Sequence, residues 1–100
     1  MYELGYLAQA KTDLIRIKRY VARESGSTEL ALRFTEKLRQ QCRKLAELPG
    51  TMGRARPELM AGVRKTPHDN YIILFRYDDS LIEIISIIEG HRDIEELFRQ

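Results

Sequence analysis

Several common structural devices are scarce in this 100-residue chain. Cys42 is its one cysteine, so no internal disulfide can form and nothing indicates an oxidising compartment. No apolar run approaches the roughly 20 residues that a membrane-spanning helix needs. The first residues lack the basic and apolar regions of a signal peptide. We therefore expect a cytoplasmic protein that makes no membrane contact.

Catalytic and metal-binding motifs are also missing. His68 and His91 lie 23 positions apart with no cysteine between them, a spacing that matches no common metal site. There is no Gly-x-Ser-x-Gly nucleophile motif and no glycine-rich phosphate loop before a helix. We expect no catalytic residues, no metal and no cofactor.

Composition indicates one globular domain over residues 1–100, since 43% of the residues are hydrophobic and 32% are charged. Charge is distributed unevenly: residues 1–65 carry 14 Lys/Arg against 7 Asp/Glu, and residues 66–100 carry 3 against 8. Two interpretations are open. Either one basic surface meets an acidic partner or nucleic acid, or two amphipathic helices carry lysines and arginines on solvated faces.

The first half of the chain predicts a strand and two helices. Tyr2-Glu3-Leu4 alternates apolar and polar residues, which predicts a short strand ended by Gly5. Helical periodicity begins at Leu7, breaks at residues 25–28 and resumes until Pro49-Gly50, with Ser27 or Thr28 as the second N-cap. Because a short link joins two helices of roughly five turns each, we expect an antiparallel helical hairpin.

The buried side of this hairpin is predicted from residues at helical spacing. They are Ala10, Leu14, Ile17 and Val21 in the first helix and Ala31, Phe34, Leu38, Leu45 and Leu48 in the second, with Ile15 and Tyr20 widening the first stripe and Cys42 at the edge of the second.

The second half predicts an antiparallel sheet and a short C-terminal helix, so the fold class is α+β. The strands are expected at residues 62–66, 71–77 and 81–88, joined by turns at residues 67–70 and 78–80, and the helix follows Asp93. With the N-terminal strand, the sheet has three to four strands.

Both faces of the predicted sheet are apolar. By alternation, one face takes Tyr71, Ile73, Phe75 and Tyr77 and the other takes Ile72, Leu74 and Arg76. In the last strand, Ile82, Ile84 and Ile88 oppose Leu81, Ile85 and Ile87. The hairpin covers one face, so the C-terminal helix or a partner chain must cover the other.

Arginines cluster around this sheet, and an arginine fork suits phosphate or carboxylate recognition. Arg64, Arg76 and Arg92 lie on or just after three successive strands, which would bring them to one end or one face; the alternative is that they form ordinary surface ion pairs.

The order of these features resembles the ParE toxins of type II toxin–antitoxin modules, in the RelE/ParE superfamily. The matching stretches span nearly the whole chain: residues 10–21, Phe34, Leu38, residues 45–49, Gly53-Arg54-Ala55-Arg56-Pro57-Glu58-Leu59, Val63-Arg64-Lys65, residues 70–77 and residues 90–98. One position departs from the family pattern, since Glu89 stands where many members carry a histidine.

This resemblance implies a helical hairpin on a small sheet, a cognate ParD-like antitoxin that wraps the toxin in a hetero-oligomer, and DNA gyrase as the target. It also implies growth inhibition, a place in plasmid stabilisation, and no nucleic-acid binding by the toxin alone. On this basis we expect antitoxin or target contacts at Arg54, Arg56, Arg64, Tyr71, Arg76, Arg92, Leu97 and Phe98.

Two alternatives remain. A RelE-like ribosome-dependent ribonuclease would use lysines and arginines with a C-terminal Tyr or His as acid or base. Arg64 and Arg92 match such arginines, but residues 97–100 read Leu-Phe-Arg-Gln and lack the proton donor. The other alternative is a non-toxic module that only binds the antitoxin.

Overall fold

The computed structural model describes residues 2–47, 54–55 (backbone only), 62–78 and 80–90. Strand β1 (Glu3–Tyr6) leads into helices α1 (Ala8–Ser25) and α2 (Thr28–Glu47), and strands β2 (Arg54–Ala55), β3 (Val63–His68), β4 (Tyr71–Asp78) and β5 (Leu81–Glu89) follow. The described strands form one five-stranded sheet in the order β1-β5-β4-β3-β2. This is the α+β architecture that the sequence predicts, a helical hairpin packed on one side of a small sheet.

The helical hairpin forms for the predicted reasons. Gly26 ends α1 in the left-handed region, at φ 70°, where a glycine has no Cβ to clash. Ser27 is the N-cap of α2, because its hydroxyl accepts the Leu30 N–H at 3.1 Å. Of the predicted stripes, Ala10, Leu14, Ile17, Ala31, Leu38 and Leu45 are buried, and Val21 and Phe34 are partly buried against the core. The predicted Leu48 lies outside the described residues.

Two side chains were wrongly placed in that stripe. Ile15 is 52% exposed and Tyr20 is 48% exposed. Both lie off the line of Ala10, Leu14 and Ile17 around the helix, so they turn away from the core. Cys42, predicted at the edge of the packed face, is completely buried.

The sheet has more strands than predicted and is mixed, not antiparallel, because β1 pairs with β5 in parallel. The long chain segment between β1 and β5 allows either direction, and β1 satisfies the outer edge of β5. Gly5 does not end β1, which continues to Tyr6 because Gly5 pairs with Glu83 in the ladder. The predicted C-terminal helix lies outside the described residues.

The first predicted turn is also too long. Pro67 and His68 belong to β3, where Pro67 pairs with Ile72, and only Asp69 and Asn70 form the turn. Among the described residues, β2 pairs with β3 at Arg64 and Lys65. Asp69 takes φ 53°, a left-handed conformation that aspartate tolerates.

Alternation assigns the faces of β4 correctly but fails at the end of β5. Phe75 pairs with Ile84 while its neighbour Leu74 pairs with Ser86, so Ile85 is an extra residue in a bulge. The extra residue reverses the alternation beyond it. Ile87 therefore joins the helix-facing core, and Ile88 lies with Leu74 on the opposite face.

Candidate interaction surface

A groove opens between the linked ends of α1 and α2 and the β3–β4 turn. Its volume is about 590 Å³. Its described lining is largely apolar and comprises Tyr20, Val21, Phe34, Pro67, Tyr71 and Ile72, with Asp69, Asn70, Glu89 and Gly90 as its polar part. We call this the hairpin-end groove. An apolar cleft with few polar groups is the usual form of a binding site.

Tyr71 and Phe34 form the aromatic wall of the groove. Their rings meet edge to face with centroids 5.7 Å apart, and Tyr71 is 8% exposed. Burial raises the pKa of the Tyr71 phenol, and the nearby Glu89 carboxylate raises it further. Tyr71 is therefore a neutral phenol at physiological pH, and a neutral phenol can donate a hydrogen bond.

The groove has an acidic side. Asp69 is 60% exposed at its turn, and Glu89 lies across the ladder from Tyr71. The Gly90 N–H donates to the Asn70 carbonyl at 2.8 Å, which closes this end of the sheet. Among the described lining residues there is no lysine or arginine. The groove therefore suits a partner that offers apolar side chains beside a positive charge.

The predicted arginines do not share one face. Arg64 is half-buried and pairs with Phe75, which puts it on the helix-facing side. Arg76 pairs with Val63 and lies on the opposite side, since neighbouring residues of a strand alternate. The two arginines share one end of the β3–β4 hairpin. Tyr71 lies at the other end of β4, about 17 Å away at 3.4 Å per residue.

Arg76 is already engaged by a carboxylate. Its Nε donates to Glu83 Oε1 at 2.8 Å across β4 and β5. Arg54 pairs with Lys65 through the backbone. The remaining predicted contact residues, Arg56, Arg92, Leu97 and Phe98, lie outside the described residues.

Asp13 was not predicted to have a role, although its buried carboxylate accepts four hydrogen bonds. It is 2% exposed, and its Oδ2 accepts the Ser86 hydroxyl at 2.6 Å and the Ile87 N–H at 2.9 Å. Gln9 and Arg16 donate to Oδ1, each at 2.9 Å. Burial disfavours the charge, but these hydrogen bonds outweigh it and lower the pKa of Asp13.

The Asp13 carboxylate thus fastens α1 to the bulge of β5. One signal in the sequence was available, because Asp13 lies on the buried line of Ala10, Leu14 and Ile17. A charge within an apolar helical stripe must find partners when it is buried. What the sequence does not show is the bulge that supplies those partners.

Cys42 is chemically quiet. Burial raises the pKa of its thiol to about 11, and the same burial raises the pKa of the neighbouring Tyr6 phenol. A protonated, fully buried thiol is a poor nucleophile, which fits the predicted role of core filler.

Within the described ranges, no three His, Cys, Asp or Glu side chains are grouped to hold a metal ion. None of the described helices is apolar enough over a sufficient length to cross a membrane.

A hairpin of two helices on one side of a small mixed sheet defines the RelE/ParE-like class. Residues 5–94 match the family described as the ParE toxin of the type II toxin–antitoxin system parDE. The chain therefore belongs to the ParE toxin family, and it is a toxin of a type II toxin–antitoxin system.

A solved structure of a ParDE system agrees with this assignment. The chromosomal ParDE system of P. aeruginosa is 25% identical, with a TM-score of 0.75 over 89% of this chain and 96% of that chain. The E. coli DinJ–YafQ complex is 14% identical, with a TM-score of 0.48 over 89% and 93%. No curated protein matches the chain.

Proposed function

We propose that this toxin inhibits DNA gyrase and so blocks replication, and that a cognate ParD-like antitoxin neutralises it by wrapping around it in the cytoplasm. Membership of the ParE family over residues 5–94 is the observation that carries the proposal. The ParDE system from P. aeruginosa, a toxin with its antitoxin, has the same architecture and supports an antitoxin partner.

The protein acts by binding and not by catalysis. A phosphoryl-transfer site needs cations whose charge is available to the developing transition state. Arg76 instead donates to Glu83 at 2.8 Å, and Arg64 lies on the other side of the sheet. With about 17 Å between Arg76 and Tyr71, these predicted contact residues suit an extended protein surface better than one compact active centre.

The hairpin-end groove is the antitoxin's main anchor point. Aromatic side chains in a cleft provide large apolar contact area, and such clefts take the residues that dominate binding energy. Tyr20 is 48% exposed on the rim, while Tyr71 and Phe34 form the wall. A peptide that crosses this groove would bury the exposed half of Tyr20 and accept a hydrogen bond from the Tyr71 phenol.

Induced expression tests the target. Cells that make the toxin should accumulate DNA breaks linked to gyrase and induce the DNA-damage response, while messenger RNA remains intact. Purified toxin, incubated with purified gyrase, ATP and relaxed plasmid, should cause gyrase-linked cleaved DNA to accumulate. Rapid cleavage of messenger RNA without DNA breaks would instead establish the ribonuclease alternative, and normal growth would establish the non-toxic one.

Neutralisation tests the groove. Tyr20→Ala should weaken antitoxin binding about tenfold, because truncating an interface aromatic commonly costs more than 1 kcal/mol. Leu32→Ala is the matched control, since Leu32 is 52% exposed on α2 and does not line the groove. Titration calorimetry with the antitoxin measures both variants. Equal affinities for the two would remove the groove from the antitoxin interface.

A further inference from the structure

The outer side of α1 carries a second depression, separate from the hairpin-end groove. Thr12, Ile15, Arg16, Arg19 and Arg23 line it, and its volume is about 530 Å³. Their spacing of three and four residues puts them on one side of the helix, over about 16 Å of its length. We call this the arginine face. Its arginines belong to the basic part of the chain for which the sequence left an acidic partner open, but none of them was named as a contact residue.

Ile15 is the apolar centre of the arginine face. It is 52% exposed, although the core stripe of the same helix buries Leu14 and Ile17 almost completely. One exposed isoleucine is unremarkable by itself. Here, however, it lies one turn from Arg19 and next to Arg16, so an apolar contact and positive charges are offered together.

Arg16 is held in place by a buried carboxylate of the same helix. Its guanidinium donates to the buried Asp13 carboxylate at 2.9 Å, while 46% of its side chain remains exposed. Because this hydrogen bond already restricts the Arg16 side chain, fewer rotamers are lost when a partner binds, and the entropic cost of binding is lower. Within the described part of the chain, neither Arg19 nor Arg23 makes an ion pair. Their charges are directed to solvent.

We propose that the arginine face is a docking site for an acidic segment of a partner protein. Carboxylates of the segment pair with Arg19 and Arg23, Arg16 holds the near end of the segment beside its own Asp13 bond, and an apolar side chain covers Ile15. No carboxylate lines the depression among the described residues, so its charge is complementary to an acidic segment along its whole length. The proposal holds whether or not gyrase is the toxin's target.

The same face fits nucleic acid and membranes less well. A phosphate backbone offers no apolar group to cover Ile15. A helix that lies in a membrane surface needs a broad apolar side. The arginine face has Ile15 as its one large apolar residue.

Fluorescence anisotropy tests the proposal with a defined probe, a labelled 15-residue helical peptide that has glutamates at three- and four-residue intervals beside one leucine. The wild-type chain should bind it, and a peptide with glutamine at each glutamate position should not bind. Arg19→Glu with Arg23→Glu should weaken binding about thirtyfold, and Ile15→Ser about fivefold, as expected for loss of charge pairs and of an apolar contact.

The matched control is Lys11→Glu with Lys18→Glu, which makes the same change of charge on the same helix but outside the depression. It should weaken binding less than threefold. Urea unfolding of every variant separates lost binding from lost folding. The proposal is overturned if the two double variants lose equal affinity, or if Ile15→Ser binds the peptide as the wild type does. It is also overturned if a DNA duplex competes more strongly than the peptide at physiological salt.

Discussion

The two faces of the sheet are buried to different degrees, although both are rich in isoleucine. On the helix-facing side Ile73, Phe75 and Ile84 are fully buried beneath the hairpin. On the opposite side Leu74 and Ile88 are 1% and 3% exposed, but Ile72 and Ile85 are only partly buried. The first face is a closed core, and the second is a small cluster with accessible edges.

The difference in burial between the two faces bears on what the sequence predicts for the second face. We expected a helix or a partner chain to cover the second face. Leu74 and Ile88 are shielded from solvent within the chain itself, so a partner is not required to bury them. The partly buried Ile72 and Ile85 are the described part of this face that remains open to a partner, and Ile72 also lines the hairpin-end groove.

The largest effect should separate two neighbours of β5. Ile84→Ala should lower the free energy of unfolding by about 4 kcal/mol, since it leaves a cavity in a closed core. Ile85→Ala removes the same atoms from the partly exposed face and should cost about 1 kcal/mol, because the site is already in part hydrated. Urea unfolding of the two variants measures this difference. Equal losses would show that the two faces are equivalent.

Alternation accounts for how far the faces could be predicted. It assigned β4 correctly, from Tyr71 to Tyr77, because the strand is regular throughout. It failed for Ile87 and Ile88 because one additional residue, Ile85, enters β5 before them. A bulge of this kind depends on what lies above the strand, here Asp13 of α1, and that contact joins residues 73 and 74 positions apart.

The candidate sites show the same limit. Helix ends, hairpins and the buried stripes follow from local signals, and they were predicted from the sequence. The exposure of Ile15, the separation of Arg64 from Arg76 and the parallel pairing of β1 depend on how the hairpin and the strands pack against one another. Local periodicity carries no information about such packing.

The next largest effect should come from the hydrogen bonds that join Asp13 of α1 to the bulge of β5. Asp13→Ala should cost about 3 kcal/mol, because it leaves the buried Ile87 N–H and the Ser86 hydroxyl without their acceptor and Arg16 without its counter-charge. Asp78→Ala is the control, since Asp78 is an exposed aspartate at the end of β4 and should cost less than about 0.5 kcal/mol.

The same carboxylate should make stability sensitive to acid. Its pKa in the folded chain is lowered from 3.8, so the folded state favours the ionised form. The resulting stabilisation is complete above pH 3.8 and is lost as the pH falls through the lowered pKa. Unfolding measured between pH 2 and 7 should show a smaller loss at low pH in Asp13→Ala than in the wild type. Parallel curves would assign the acid sensitivity to other carboxylates.

The smallest effect concerns the ion pair on the less buried face. Arg76 and Glu83 have side chains 36% and 18% exposed, so a double-mutant cycle between Arg76→Ala and Glu83→Gln should give a coupling of about 0.5 kcal/mol that weakens in high salt. The Arg33–Glu29 pair, at 3.8 Å and more exposed, should give almost no coupling.

Arg76 and Glu83 should differ in function, however. If Arg76 contacts the antitoxin or the target, Arg76→Ala weakens that contact, whereas Glu83→Gln keeps the guanidinium and removes only the charge of its Glu83 partner. Equal binding by both variants would confine Arg76 to a structural role and leave the hairpin-end groove and the arginine face as the binding surfaces.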